Sequence, residues 1–229
     1  MSEAAIAPNP AEQAARLVVG VLGGTGDQGR GLGRRLALAG NKVIIGSRDT
    51  GRAAAAAAGL DLPTELSGAS NEDAASAADI IIAAVPWDGH GALLAQLEGP
   101  LAGKIVIDCA NPIAFDKQGA YPLPVAEGSA AQQAAAILPR SRVVGAFHHV
   151  SAVLLLDPDV PQVDLDVLVL GDDRAATDLV QALAERIAGV RGVYAGRLRN
   201  CGQIEALTAN LVSVNRRYKA HAGLRITDI

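Results

Sequence analysis

Leu17-Val18-Val19-Gly20-Val21-Leu22-Gly23-Gly24-Thr25-Gly26-Asp27-Gln28-Gly29 is the stretch on which the fold turns. Its first six residues are apolar and rich in valine, and read as a strand. The strand runs into glycines at 24, 26 and 29, the spacing G-x-G-x-x-G. Residues 28–39 then read as a helix that Gly40-Asn41 closes. A strand, a glycine-rich turn and a helix in this order gather free backbone N–H groups and the positive end of a helix dipole at one point, which suits a pyrophosphate. The first glycine permits the tight turn, the second lets backbone approach phosphate, and the third lets helix pack on strand. Gly24, Thr25, Gly26, Asp27, Gln28 and Gly29 are therefore candidate cofactor-binding residues. An ordinary glycine-rich loop is the rival, and the flanking strand and helix argue against it.

Outward from this unit the same rhythm repeats. Strands are expected over residues 42–45, 79–85, 104–108, 142–147, 165–170 and 191–194. Helices are expected over 53–58, where alanine has the best intrinsic propensity, and over 71–78, 129–137, 173–188 and about 204–220. Alternating strands and helices predict an α/β class, a Rossmann-type doubly wound, mostly parallel sheet with a small C-terminal cap. Composition shifts after about residue 150, which suggests a dinucleotide-binding domain over 16–150 and a smaller α/β segment over 151–229. Residues 1–15 carry Pro8 and Pro10 without a continuous apolar run and read as a flexible tail rather than a signal segment.

The 229 residues are half apolar but only 3% aromatic, so the core must be built from Ala, Val, Leu and Ile, as in a parallel sheet covered by helices. A net charge of −4 lacks the basic surplus that nucleic acid or anionic membrane would call for. No apolar run is long enough to cross a bilayer, and the expected location is the cytoplasm. Cys109 and Cys201 lack the paired spacing of a metal or redox motif and read as buried thiols.

The residues after the second strand meet the adenosine ribose, where an NAD site carries a carboxylate. Here stand Gly46-Ser47-Arg48, with Arg52 one helical turn on. A hydroxyl and two guanidinium forks suit a 2′-phosphate and so NADP. The alternative is that Asp49 takes the ribose and the two arginines are solvated.

Ligands in open α/β sheets lie beyond the carboxyl ends of the strands. Val85-Pro86-Trp87, Asn111-Pro112 and His148-His149 should therefore converge on one crevice. No G-x-S-x-G, H-E-x-x-H or Y-x-x-x-K is present, and no catalytic residue beyond positioning by His148, Pro86 and Trp87 is expected. Hydride transfer between two bound cofactors meets that condition, because the cofactors carry the reactivity.

The strings Val21-Leu22-Gly23-Gly24-Thr25-Gly26, Gly46-Ser47-Arg48, Asn71-Glu72-Asp73-Ala74-Ala75 and Val85-Pro86-Trp87 occur in this order. Gly145-Ala146-Phe147-His148, Gly171-Asp172-Asp173 and Glu205-Ala206-Leu207-Thr208 follow. Taken together, the chain resembles the F420H2:NADP oxidoreductases over nearly everything after residue 16. The resemblance implies reversible hydride transfer between C5 of the deazaflavin coenzyme F420 and C4 of the nicotinamide of NADP. It implies that Thr25, Ser47, Arg48 and Arg52 hold NADP, that His148 and the Pro86-Trp87 turn lie near the deazaflavin, and that the C-terminal segment completes the second pocket and helps form a homodimer. Two other readings stand beside it. One is an NADPH-dependent reductase of a ferric, flavin or imine acceptor, and the other is a non-catalytic NADP sensor whose second pocket is plugged by side chains.

Overall fold

The computed structural model describes residues 9–60, 62 and 66–229. Ordered chain begins earlier than the expected tail allows, because Pro10–Arg16 is a helix, α1. The Asn9 side chain accepts a hydrogen bond from Ala11 N, and proline stands in the first turn, where its missing N–H costs nothing. Ala14 is fully buried, and Asn41 Nδ2 donates to the carbonyls of Ala14 and Leu17. Tertiary contacts hold the segment; residues 1–8 lie outside the described residues.

The first half of the fold runs β1 (Val18–Leu22), α2 (Asp27–Leu38), β2 (Lys42–Ser47), α3 (Thr50–Ala58), β3 (Leu66–Ser70), α4 (Asn71–Ala77) and β4 (Ile80–Ala83). There follow α5 (His90–Gln96), α6 (Glu98–Leu101), β5 (Ile105–Asp108), a hairpin of β6 (Ile113–Asp116) and β7 (Gly119–Pro122), α7 (Ala130–Ile137) and β8 (Arg142–Gly145). The last quarter carries α8 (Ala152–Leu156), β9 (Leu165–Gly171), α9 (Arg174–Ala184), β10 (Val190–Gly196) and α10 (Cys201–Tyr218).

Eight strands form one sheet in the order β10-β9-β8-β5-β4-β1-β2-β3. Every neighbouring pair is parallel except β8 and β9. This is the Rossmann-type, mostly parallel sheet that the sequence predicts. The chain winds outward from β1 to β3 and returns to the other side of β1 as β4, so the switch point lies at the carboxyl ends of β1 and β4. The composition shift near residue 150 coincides with the reversal of strand direction: β9 and β10 lengthen the same sheet, and α10 is the element of the C-terminal segment that reaches the cleft.

Some elements have little signature. β3 reads Leu-Ser-Gly-Ala-Ser, with no β-branched residue, and it pairs with β2 because Gly68 lets α3 come close: a Cβ there would run into the backbone of Ala53 and Ala54. The strand over residues 142–147 ends at Gly145, since Phe147 takes φ +64° and cannot continue a ladder.

A buried carboxylate is the main tie between the C-terminal residues and β9, beside the bond from Asp166 N to Leu224 O and the pair of Arg225 with Asp164. Asp166, whose side chain is fully buried, accepts from Arg191 Nε and Nη2 (2.7 Å each), Arg225 Nη1 (2.6 Å) and Ile226 N (2.6 Å). The Arg191 bonds hold its carboxyl below the usual range.

Candidate functional site

A cleft of about 730 Å³ opens at the switch point. Its first wall is the glycine turn. Gly24 N donates to Gly46 O (2.9 Å) and so ties the turn to the end of β2. Gly23, at φ +64°, donates its N–H to Asn71 Oδ1 (3.1 Å). Thr25, Gly26, Asp27 and Gln28 line the cleft, whereas Gly24 and Gly29 are buried beneath it. A Cβ on Gly29 would lie 2.6 Å from Gly24 Cα, and one on Gly24 would lie 2.7 Å from Val21 O. These two glycines therefore shape the turn from inside, and the α2 N-terminus, with Gly26 as its cap residue and no side-chain cap, keeps N–H groups free for an anion.

The second wall follows β2. Ser47, Arg48, Asp49 and Arg52 all line the cleft. Ser47 Oγ accepts from Asp49 N (3.2 Å), and Asp49 Oδ1 caps α3 by accepting from Arg52 N (3.0 Å). Asp49 thus has a structural task as an N-cap. The exposed guanidiniums of Arg48 and Arg52 have no hydrogen-bond or ion-pair partner among the described residues. Two free guanidiniums beside a hydroxyl favour a phosphate over a bare ribose.

The far end is built by three loops, as the strand ends imply. Val85, Pro86 and Trp87 line it after β4, Asn111 after β5, and His148 after β8. Pro112 does not reach the cleft; it is buried, and its carbonyl accepts from Leu123 N (2.8 Å) to anchor the β6–β7 hairpin. Asn111 serves as a brace as well as a wall: its Nδ2 donates to His148 O (2.7 Å), and its Oδ1 accepts from Thr208 Oγ1 (3.1 Å). Gln28 Nε2 donates to Phe147 O (3.2 Å), so both ends of the cleft grip the residue pair 147–148. Trp87 lies against His90, with ring centroids 5.7 Å apart.

His148 and His149 are 3% and 4% exposed, and the His148 imidazole itself is fully buried. Burial pushes both down to about 4, with Asp108 opposing the shift at His148 and Asp166 at His149. Both rings are neutral at neutral pH, and neither nitrogen of His148 has a hydrogen-bond partner. Unfolding restores a pKa near 6.5, so stability falls as pH drops through the window from about 6.5 to 4. Replacing His149, which is outside the cleft, with glutamine should flatten this profile. Urea unfolding at pH 7 and pH 4.5 should find that the variant loses about 2–3 kcal/mol less than the wild type.

The site so assembled meets clear relatives. A family model described as "NADP oxidoreductase coenzyme F420-dependent" matches residues 18–112. The F420-dependent NADP reductase of Methanothermobacter thermautotrophicus is 40% identical over 222 residues, covering 92% of this chain and 95% of that protein. The chain belongs to the F420-dependent NADP reductase family. The reductase of that name from Methanocaldococcus jannaschii is 39% identical, with 92% and 98% covered. A crystal structure from Arthrobacter sp. FB24, described there as a candidate F420-dependent NADP reductase, superposes with a TM-score of 0.77 at 27% identity over 92% of this chain and 99% of that one.

For a member of this family, four cleft residues have no site role from the sequence: Asn71 and Thr208, which fall inside the strings that carry the resemblance, and Cys109 and Val150. Asn71 opens a helix in the sequence, and only its bond to the turn reveals its second role. Thr208 lies on α10, and although it closes the string Glu205-Ala206-Leu207-Thr208, nothing local ties it to the cleft. Cys109 is held by a hydrogen bond to Ala83 O (3.2 Å), and burial pushes its thiol upward, so it is an inert wall.

Proposed function

We propose that the protein transfers a hydride reversibly between C5 of F420 and C4 of the nicotinamide of NADP. The observation that carries this reading is one cleft with two chemically different ends: an anion-binding turn with two free guanidiniums at one end, and a neutral pocket of Pro86, Trp87, Asn111 and His148 at the other. The residues fit the two coenzymes. Gly26 lines the cleft with its backbone open to a phosphate, no protein atom lying nearer than 3.8 Å to where a Cβ would stand, and the buried nitrogens of His148 have no hydrogen-bond partner among the described residues. The coenzymes supply the hydride chemistry. Thr25 and the α2 N-terminus hold the pyrophosphate, while Ser47, Arg48 and Arg52 hold the 2′-phosphate. Val85, Pro86 and Trp87 wall off water from the reacting rings, and His148 orients the deazaflavin through a hydrogen bond.

The protein works in the cytoplasm as a homodimer in this reading. No described helix is long and apolar enough to cross a membrane. Phe115 and Tyr121 of the hairpin and Tyr218 of α10 expose aromatic surface that a second copy would cover.

Replacing His148 with alanine tests the pocket. The KM for F420 should rise about tenfold, the value of one lost hydrogen bond, with turnover still measurable. Loss of all chemistry while both coenzymes still bind would contradict a purely orienting role.

A further inference from the structure

Behind the cleft lies a carboxyl group that this reading does not use. Glu205 sits on α10 and is 3% exposed. Its Oε2 accepts from Ala130 N (2.8 Å) and its Oε1 from Ala131 N (3.2 Å), in the first turn of α7. Its Oε1 also lies 4.0 Å from Nε2 of His148. That gap is too long for a hydrogen bond and short enough for a small side-chain rotation to close. His148 is a neutral ring with one N–H and one lone pair, and the group facing one nitrogen decides which of the two the other presents.

We propose that Glu205 is a positioning residue for the deazaflavin pocket, fixing through its carboxyl which ring nitrogen of His148 carries the proton. The inference rests on His148 meeting the deazaflavin. An ionised Glu205 can only accept, so it draws the proton to Nε2 and leaves Nδ1 a lone pair. A protonated Glu205 can donate to Nε2 and leaves the proton on Nδ1. Nδ1, the nitrogen left for the coenzyme in this reading, changes from acceptor to donor between the two states.

The surroundings place this exchange in a useful range. Burial raises the Glu205 carboxyl to about 7, against the two α7 N–H groups, with Asp108 of β5 adding to the rise and His90 of α5 opposing it. Asp108 is itself engaged by His90 Nε2 (2.5 Å). His149, beside His148, and Cys201, one turn before Glu205, are further titratable groups near the pair, with Asp172 acting on Cys201.

The test is histidine-selective 15N NMR on the wild-type protein from pH 6 to 8.5, with His148 assigned by difference from His148→Ala. Its proton should move from Nδ1 to Nε2 as pH rises, with a midpoint near that of Glu205. In Glu205→Gln the tautomer should no longer change with pH. The KM for F420, which should vary about threefold to tenfold across neutrality in the wild type, should become flat, with kcat little changed. In a His148→Ala background, Glu205→Gln should have no further effect on that KM. A single His148 tautomer across the range, or a wild-type pH profile retained in Glu205→Gln, would make Glu205 a helix cap alone and overturn the inference. An unchanged F420 KM in His148→Ala would instead contradict the pocket reading on which the inference rests.

Discussion

Replacing Arg48 with glutamate is expected to raise the KM for NADP about 100-fold or more while moving that for NAD by less than about threefold, as loss of a charge-assisted phosphate contact implies. The Arg48 guanidinium is exposed on the cleft wall beside Ser47 and is free of protein partners among the described residues. No hydrogen bond or ion pair of the fold among the described residues depends on it. A carboxylate there would repel the 2′-phosphate and accept from a ribose, so the sign of selectivity should shift toward NAD. Steady-state kinetics with both nucleotides provides the check. An equal loss for NADP and NAD would mean that Arg48 meets a part common to both. A change in thermal stability comparable to the kinetic loss would mean that its role is structural.

Replacing Gly29 with alanine is expected to cost about 1–3 kcal/mol of stability and to weaken NADP binding in addition. The added methyl would meet the Gly24 backbone at 2.6 to 3.2 Å. Backbone cannot swing aside as a flexible side chain can, so α2 must move off β1 and its N-terminus must leave the turn. Gly26→Ala is the control. Its φ is −77°, and its Cβ would find no protein atom nearer than Gly23 O at 3.8 Å, so the fold has no need of glycine there. NADP titration and urea unfolding should show Gly29→Ala losing both binding and stability. Gly26→Ala should lose binding alone, because its methyl intrudes where phosphate approaches the backbone. Unchanged NADP affinity in Gly26→Ala would contradict the placement of the pyrophosphate at this turn.

What the chain discloses about itself follows from how local each signal is. The run from Leu17 to Gly29 carries strand, turn and helix in consecutive residues, so the dinucleotide unit is readable without a partner element. Ser47, Arg48 and Arg52 are readable for the same reason, since they follow β2 directly. Val85 to Trp87, Asn111 and His148 needed only the rule that strand ends converge, and they do converge. The rule overreached at Pro112, which turns away into the hairpin and gives that hairpin its carbonyl, and at His149, which is buried outside the cleft. The helix of residues 10–16 was hidden because seven residues, although rich in helix formers, are too few to hold a helix by themselves and are stabilised by packing. β3 was hidden because its partner helix selects small residues over β-branched ones. Asn71, Thr208 and Glu205 act through hydrogen bonds spanning tens of residues, and no window of sequence contains both ends.

The central claim is that one cleft holds NADP and F420 together for direct hydride transfer. The most direct test is to mix purified protein with reduced F420 and follow the recovery of the deazaflavin's visible absorbance, first with NADP and then with NAD. Rapid oxidation with NADP, stoichiometric NADPH formation and little rate with NAD are the predicted results. Tight NADP binding without any oxidation of reduced F420 would contradict the claim.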